Sequence, residues 1–284
     1  MLNLNHTALT EFRVYLQERE CSRATIEKYM RDVRALAQFS GGQIEEKSKL
    51  LAFKEHLRAS GYAISSINSM LAAVNCFLSF FGYDSWKLRF FKVQRKLFVD
   101  EKRELSRDEY EKMLLEADRR SDKRLFMLLQ TICSTGIRVS ELPAVTVESL
   151  HCGQARIHSK GKVRLILLPA QLCRMLKRYC KEMKIRSGSV FITKKGHPLD
   201  RSNIWKMMKR LAAKAGVGLS KVFPHNLRHL FACTYYGKFK DIVRLADILG
   251  HSSINTTRIY TTKNMTEQTR QMDKLSLLAN YFTT

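Results

Sequence analysis

Six residues in this chain form an ordered set of groups suited to handling a phosphate. Arg138 is followed three positions later by Glu141, and His225 precedes Arg228 by three. His251 lies 23 positions beyond that arginine, and Tyr260 nine further on. Guanidinium groups grip phosphate oxygens with planar, paired hydrogen bonds and keep their charge at any working pH. Attack at phosphorus spreads more negative charge over those oxygens, so such groups favour the transition state over the ground state. A free phenol has a pKa near ~10, so a nucleophilic tyrosine must lose its proton as it attacks or sit in a strongly cationic pocket. Imidazoles titrate near working pH and can bond the phosphate or shuttle its proton. The spacing His225-x-x-Arg228 places both residues on one face if the segment is helical. Each residue alone has an ordinary explanation: a surface arginine among 50 basic residues, or a core tyrosine with its tip hydrogen-bonded. The ordered set carries the reading.

The surrounding motifs are Thr135-Gly136-Ile137-Arg138-Val139-Ser140-Glu141-Leu142, the turn Lys160-Gly161-Lys162, Pro224-His225-Asn226-Leu227-Arg228-His229, and Leu249-Gly250-His251 leading to Tyr260. In that order, and over nearly the whole chain, they resemble the tyrosine recombinase/integrase family, particularly its Xer-like two-domain members. The resemblance implies that Arg138 and Arg228 clamp the scissile phosphate, with His225 and His251 bonding it or moving its proton. Tyr260 would be the nucleophile, leaving a 3′-phosphotyrosyl link and a free 5′-hydroxyl. Bond energy is then stored, and no nucleotide cofactor is needed. Lys160 would protonate the leaving 5′-oxygen. Lys162 is its rival, because the turn is one residue shorter after Gly161 than the Gly-Lys-Gly-Asn-Lys pattern of Xer-like members. Glu141 would orient the arginine, and His229 would pack structurally.

By the same resemblance the partner is duplex DNA, bound as a tetramer on two sites. The job is integration or excision of a mobile element, or resolution of DNA dimers. A partner recombinase or an accessory DNA-bending protein remains open. Two alternatives stand beside this: a type IB-like topoisomerase with the same residues, and a non-catalytic architectural protein that kept the fold. The second predicts damaged motifs, and these are intact.

Composition agrees with a polyanionic partner. Fifty Lys and Arg against 26 Asp and Glu leave a net charge of +24 over 284 residues. Residues 1–100 hold 15 basic and 10 acidic residues, hence +5, so the remaining +19 lies in 101–284. The most apolar run, Met70 to Phe81, is broken by Asn75 and Ser79 and is too short to span a bilayer. A start bearing Asn3, Asn5, His6 and Glu11 fits neither a secretory signal nor a transit peptide, which points to a cytoplasmic protein. Seven scattered cysteines without a C-x-x-C pair argue against a disulfide framework or a thiolate zinc site. No H-E-x-x-H and no carboxylate cluster suggests a metal, and two-metal nuclease chemistry needs acids to hold its ions.

The elements that must position these groups are mostly helical. Leu9, Phe12, Val14 and Leu16 open one apolar pattern; Ile26, Met30, Val33 and Leu36 recur at helical spacing between a Ser22 cap and a Gly41-Gly42 stop. Further helices are expected through Leu50–Leu57, Ser65–Phe81, Tyr110–Ala117 and Leu125–Cys133, and again after Asn203. Ser106-Arg107-Asp108-Glu109 has capping-box spacing. Ala155–Ser159 and Val163–Leu168 read as a hairpin, with Val190–Thr193 as a third strand. The fold class is therefore mainly α with a small antiparallel sheet (α+β). A helical core-DNA-binding domain over 1–90 would join a catalytic domain over 106–284 through a basic linker, 91–105. Lys87, Arg89, Lys92, Arg95 and Lys96 would lie against phosphates, as would Lys162 in the hairpin. An apolar tail stripe of Leu275, Leu277, Leu278, Tyr281 and Phe282 would, by resemblance, dock into a neighbouring protomer.

Overall fold

Helix caps and apolar spacing lay out the first part of the chain as the sequence suggests. The structure, a computed structural model, describes residues 1–92, 103–159, 162–251, 253–260 and 273. It divides into two compact units, Met1–Arg95 and Lys96–Thr284. In the first, the Asn5 side chain caps α1 (His6–Glu18), and Ser22 caps α2 (Arg23–Ser40), which Gly41 ends in the left-handed conformation. Helices α3 (Lys47–Ala59) and α4 (Ile64–Phe80) complete the bundle. Phe12, Leu16, Val33, Leu36, Phe53, Leu71 and Phe77 are essentially inaccessible to water; burial of each such side chain contributes about 1.5–3 kcal/mol. Val14 departs from the expected pattern and points outward, 46% exposed. Two strands of two residues, β1 (Leu2–Asn3) and β2 (Gln43–Ile44), pair antiparallel; they are too short for any sequence period.

The polar interruptions of α4 have a purpose. Asn75 donates to the Leu88 carbonyl and accepts its N–H, both at 2.9 Å. Asn68, two turns earlier, does the same for Phe91 at 2.8 Å. Each amide stands in for a neighbouring strand, so the segment 88–91 is held to the helix at both ends.

The second unit opens with α5 (Arg107–Arg119), whose Ser106–Glu109 capping box is formed on both sides. Helix α6 (Lys123–Thr135) ends at Gly136, and a 3-10 segment, Val139–Ala144, leads to the short α7 (Val147–Cys152). Strands β3 (Gln154–Ser159) and β4 (Lys162–Leu167) pair in register from Gln154↔Leu167 to Ser159↔Lys162. Helices α8 (Ala170–Glu182), α9 (Arg201–Lys214), α10 (Pro224–Phe239), α11 (Ile242–Leu249) and α12 (Ile254–Thr257) follow. A 3-10 turn, Arg258–Tyr260, closes the described segment. The proposed third strand at Val190–Thr193 does not form. Val190 and Phe191 are buried, but only isolated bridges, Thr146↔Ser189 and Ile192↔Pro198, occur there. The Thr193 N–H is taken by His197 across a tight turn, which leaves no length for a ladder. Among the described residues no helix is long and apolar enough to cross a membrane.

Candidate functional site

Three chain segments far apart in sequence converge at Arg228. Helix α10 begins at Pro224, a residue suited to the first turn because it lacks an N–H that would go unpaired there. His225 and Arg228 therefore share one helical face. The Arg228 guanidinium is 2% exposed and donates to the Gly136 carbonyl at 2.6 Å and the Leu249 carbonyl at 2.7 Å. The same Nη2 lies 3.0 Å from His251 Nε2. An arginine can only donate, so Nε2 must accept; His251 Nδ1 then carries the proton toward Thr257 Oγ1 at 2.8 Å. One guanidinium thus ties the end of α6, the end of α11 and an imidazole into one cluster.

Gly136 makes that approach possible. Its φ is +63°, and a Cβ there would stand 2.5 Å from the ring of Phe231 and 3.0 Å from Leu249. Just beyond, Arg138 donates through Nη1 to Glu141 Oε1 and through its backbone N–H to Oε2, both at 2.9 Å. Its Nη2 reaches the Gly250 carbonyl at 3.3 Å. Glu141 is buried and also holds Arg164 Nη2 at 2.5 Å. Burial opposes the charge of Glu141, but the bonds from Arg138 and Arg164 outweigh it and hold the carboxyl below its ordinary range.

The positive charge shapes the other groups. Burial, then Arg138, lowers Arg228 to about 10, so it stays charged at neutral pH. Burial, then the guanidiniums of Arg228, Arg138 and Arg164, lowers His251 to about 4, and His225 is lowered for similar reasons. Both imidazoles are therefore neutral in the unliganded site. Tyr260 is 4% exposed, packed against Ala232, Leu245 and Leu249. Its ring lies 5.0 Å from that of His229 and 6.1 Å from that of His251, nearly parallel to the latter. Burial raises the phenol above its usual value, against the pull of Arg228. His229 pairs with Glu104 at 2.5 Å. Burial works against its charge, but the neighbouring Cys233 thiol and Glu104 carboxylate raise it to about 9.

Arg138, His225 and Arg228 line an open cleft of about 850 Å³, together with Arg201, Ser202, Trp205 and Phe223. The last four were not singled out from sequence. A signal was available: Arg201, Trp205 and Lys209 repeat every four residues along α9, and Lys209 Nζ lies 4.0 Å from the Phe223 ring centre. Arg164 was also missed. Of the remaining candidates, Lys87 is paired with Asp84 at 2.5 Å, the Arg89 carbonyl accepts from Lys54, and Lys92 is exposed. The backbone of Lys162 opens β4 opposite Ser159. Lys160, Arg95, Lys96 and the tail stripe lie outside the described residues. Among the described residues no cluster of His, Cys, Asp or Glu could hold a metal ion.

Comparison with known proteins follows the same lines. Residues 103–267 match the phage integrase family, and residues 9–81 match the phage integrase N-terminal SAM-like domain. The chain is 31% identical over 276 residues to tyrosine recombinase XerA of Pyrococcus horikoshii, covering 93% of each. It superposes on XerH site-specific recombinase bound to a palindromic difH substrate with a TM-score of 0.70, at 23% identity, over 91% of this chain and 81% of that one. A lambda integrase tetramer bound to a Holliday junction gives a TM-score of 0.74 at 18% identity, covering 91% and 77%.

Proposed function

The chain belongs to the phage integrase family, and from that premise we propose that the cluster around Arg228 is the active site of its DNA cleavage and rejoining. The protein is a tyrosine recombinase: it acts on duplex DNA and performs site-specific recombination through a tyrosine intermediate. The relatives reported above are recombinases and integrases, and the topoisomerase reading finds no support among them.

In the proposed mechanism Arg138 and Arg228 hold the two non-bridging oxygens of the scissile phosphate, and His225 donates to the same group from the cleft wall. Tyr260 Oη attacks phosphorus; the Oη–P bond forms, the P–O5′ bond breaks, and Lys160 gives its proton to O5′. His251 is neutral, and its Nε2 lone pair, which accepts from Arg228 in the free protein, would take the phenol's proton once the phosphate draws that guanidinium away. Rejoining runs the steps backward, with a 5′-hydroxyl attacking the phosphotyrosine. The observation that supports this assignment is the buried Arg228 guanidinium, bonded at once to Gly136, Leu249 and His251. Residues 1–90 would grip the duplex as a separate core-binding domain, with Lys87, Arg89, Lys92, Arg95, Lys96 and Lys162 on its phosphates. A tetramer on two sites, with the tail after Tyr260 joining protomers, completes the proposal.

A nicked duplex carrying the target site tests the assignment, because cleavage near the nick releases a short strand and strands the covalent intermediate. Wild-type protein should accumulate as a DNA adduct linked through Tyr260. Tyr260→Phe should bind with similar affinity and give no adduct. An adduct formed by that variant would sink the assignment.

A further inference from the structure

Arg164 occupies an unusual place. Strand β4 alternates in and out, and Ile166 faces the core, so Arg164 falls on the same inward face, opposite Ile157. An arginine on the buried face of a strand needs partners to offset its desolvation. It has two in addition to its packing: Nη2 on Glu141 at 2.5 Å and Nη1 on the Ile248 carbonyl at 3.0 Å. Its side chain also lies close against Gly250, where a Cβ would stand 2.5 Å from Cδ and 2.6 Å from Nη1. That contact explains the glycine of Leu249-Gly250-His251 as much as its φ of +62° does.

Each partner is one step from a group assigned to the chemistry. Glu141 holds Arg138, whose other arm reaches the Gly250 carbonyl. Ile248 and Gly250 frame the turn that delivers His251. Glu141 is shared, with Arg138 and Arg164 on its two oxygens. We propose that Arg164 is a positioning residue that fixes Arg138 and His251 on the scissile phosphate, by bridging Glu141 and the end of α11 across Gly250. This rests on the active-site assignment made above. Lysine cannot take its place, because one ammonium cannot span two acceptors with fixed geometry.

The test compares cleavage on two substrates. One is the ordinary nicked duplex. In the other, sulfur replaces the bridging 5′-oxygen, so the P–S bond breaks to a thiolate that leaves without a proton. Lys160→Ala should be slow on the first and recover on the second. Arg164→Lys should bind DNA within about twofold of wild type yet cleave about 10–100-fold more slowly, the loss expected for a reacting group misplaced by about an ångström. That loss should persist on the sulfur substrate. Gly250→Ala, which displaces the guanidinium while leaving it in the protein, should show the same persistence, and it serves in place of Arg164→Lys if that variant fails to fold. Wild-type cleavage by Arg164→Lys, or full recovery on sulfur, overturns the inference. Arg138→Ala is the control: if it still forms adducts, the active-site assignment fails; if it loses them while Arg164→Lys does not, only the role of Arg164 falls.

Discussion

At the scale of residues, the site sets two histidines of opposite character beside one phenol. His229, raised to about 9 by Cys233 and Glu104 despite burial, is charged at neutral pH; His251, lowered to about 4, is not. A folded-state value above the unfolded one of about 6.5 stabilises fully below that pH, and the contribution is lost as pH rises through about 9. Wild-type protein should therefore lose about 1–3 kcal/mol between pH 6.5 and 9.5 from this pair. Glu104→Gln should flatten that part of the curve, as thermal melts across the range would record. For His251 the sign reverses: the unfolded chain binds the proton more readily, so stability falls as pH drops from about 6.5 toward 4. The residues proposed from sequence at this scale, Arg138, His225, Arg228, His251 and Tyr260, could be picked out because phosphate chemistry would restrict residue type and the motifs fix spacing. Arg164 was not, because its partners Glu141 and Ile248 are 23 and 84 positions away and meet it only in the fold.

At the scale of elements, the helix–turn junctions do the positioning. Gly136 and Gly250 are the tightest of these. Gly136→Ala should cost about 2–4 kcal/mol, combining a strained left-handed residue with overpacking against Phe231. Denaturant unfolding would measure it, and a smaller residue at Phe231 should recover part of the loss. Removing the Ser106 cap by Ser106→Ala should cost only about 1 kcal/mol. Sequence made most helices plain, through caps at Ser22 and Ser106 and through three-four spacing. It passed over α8, although Leu172, Leu176, Tyr179 and Cys180 form a buried stripe of the same kind. The hairpin shows where periodicity misleads. Alternation alone would turn Val163, Leu165 and Leu167 inward, yet they are 60%, 50% and 69% exposed while Arg164 and Ile166 face in. A buried ion pair decided the face, and a hydropathy pattern carries no record of it.

At the scale of the whole molecule, two compact units and a large positive charge set the behaviour. The unit Met1–Arg95 has its own buried cluster and a strap bonded to α4, so a fragment ending at Lys92 should unfold cooperatively by itself. A broad, featureless melt would contradict that. DNA affinity should fall steeply with salt, and each lysine or arginine removed from a phosphate contact should lower the slope of log K against log salt by about one. Lys92→Ala measures this for the exposed end of the segment. Net charge announced the polyanion from composition alone, whereas the strap on Asn68 and Asn75 could not be seen until the helix carrying them existed. The shelter around Tyr260 has a last consequence. An oxygen kept off the surface cannot strike a passing phosphodiester, and if one copy in a hundred presented it, stray cuts would be about a hundredfold rarer. A protein that cuts duplex DNA travels with its blade sheathed.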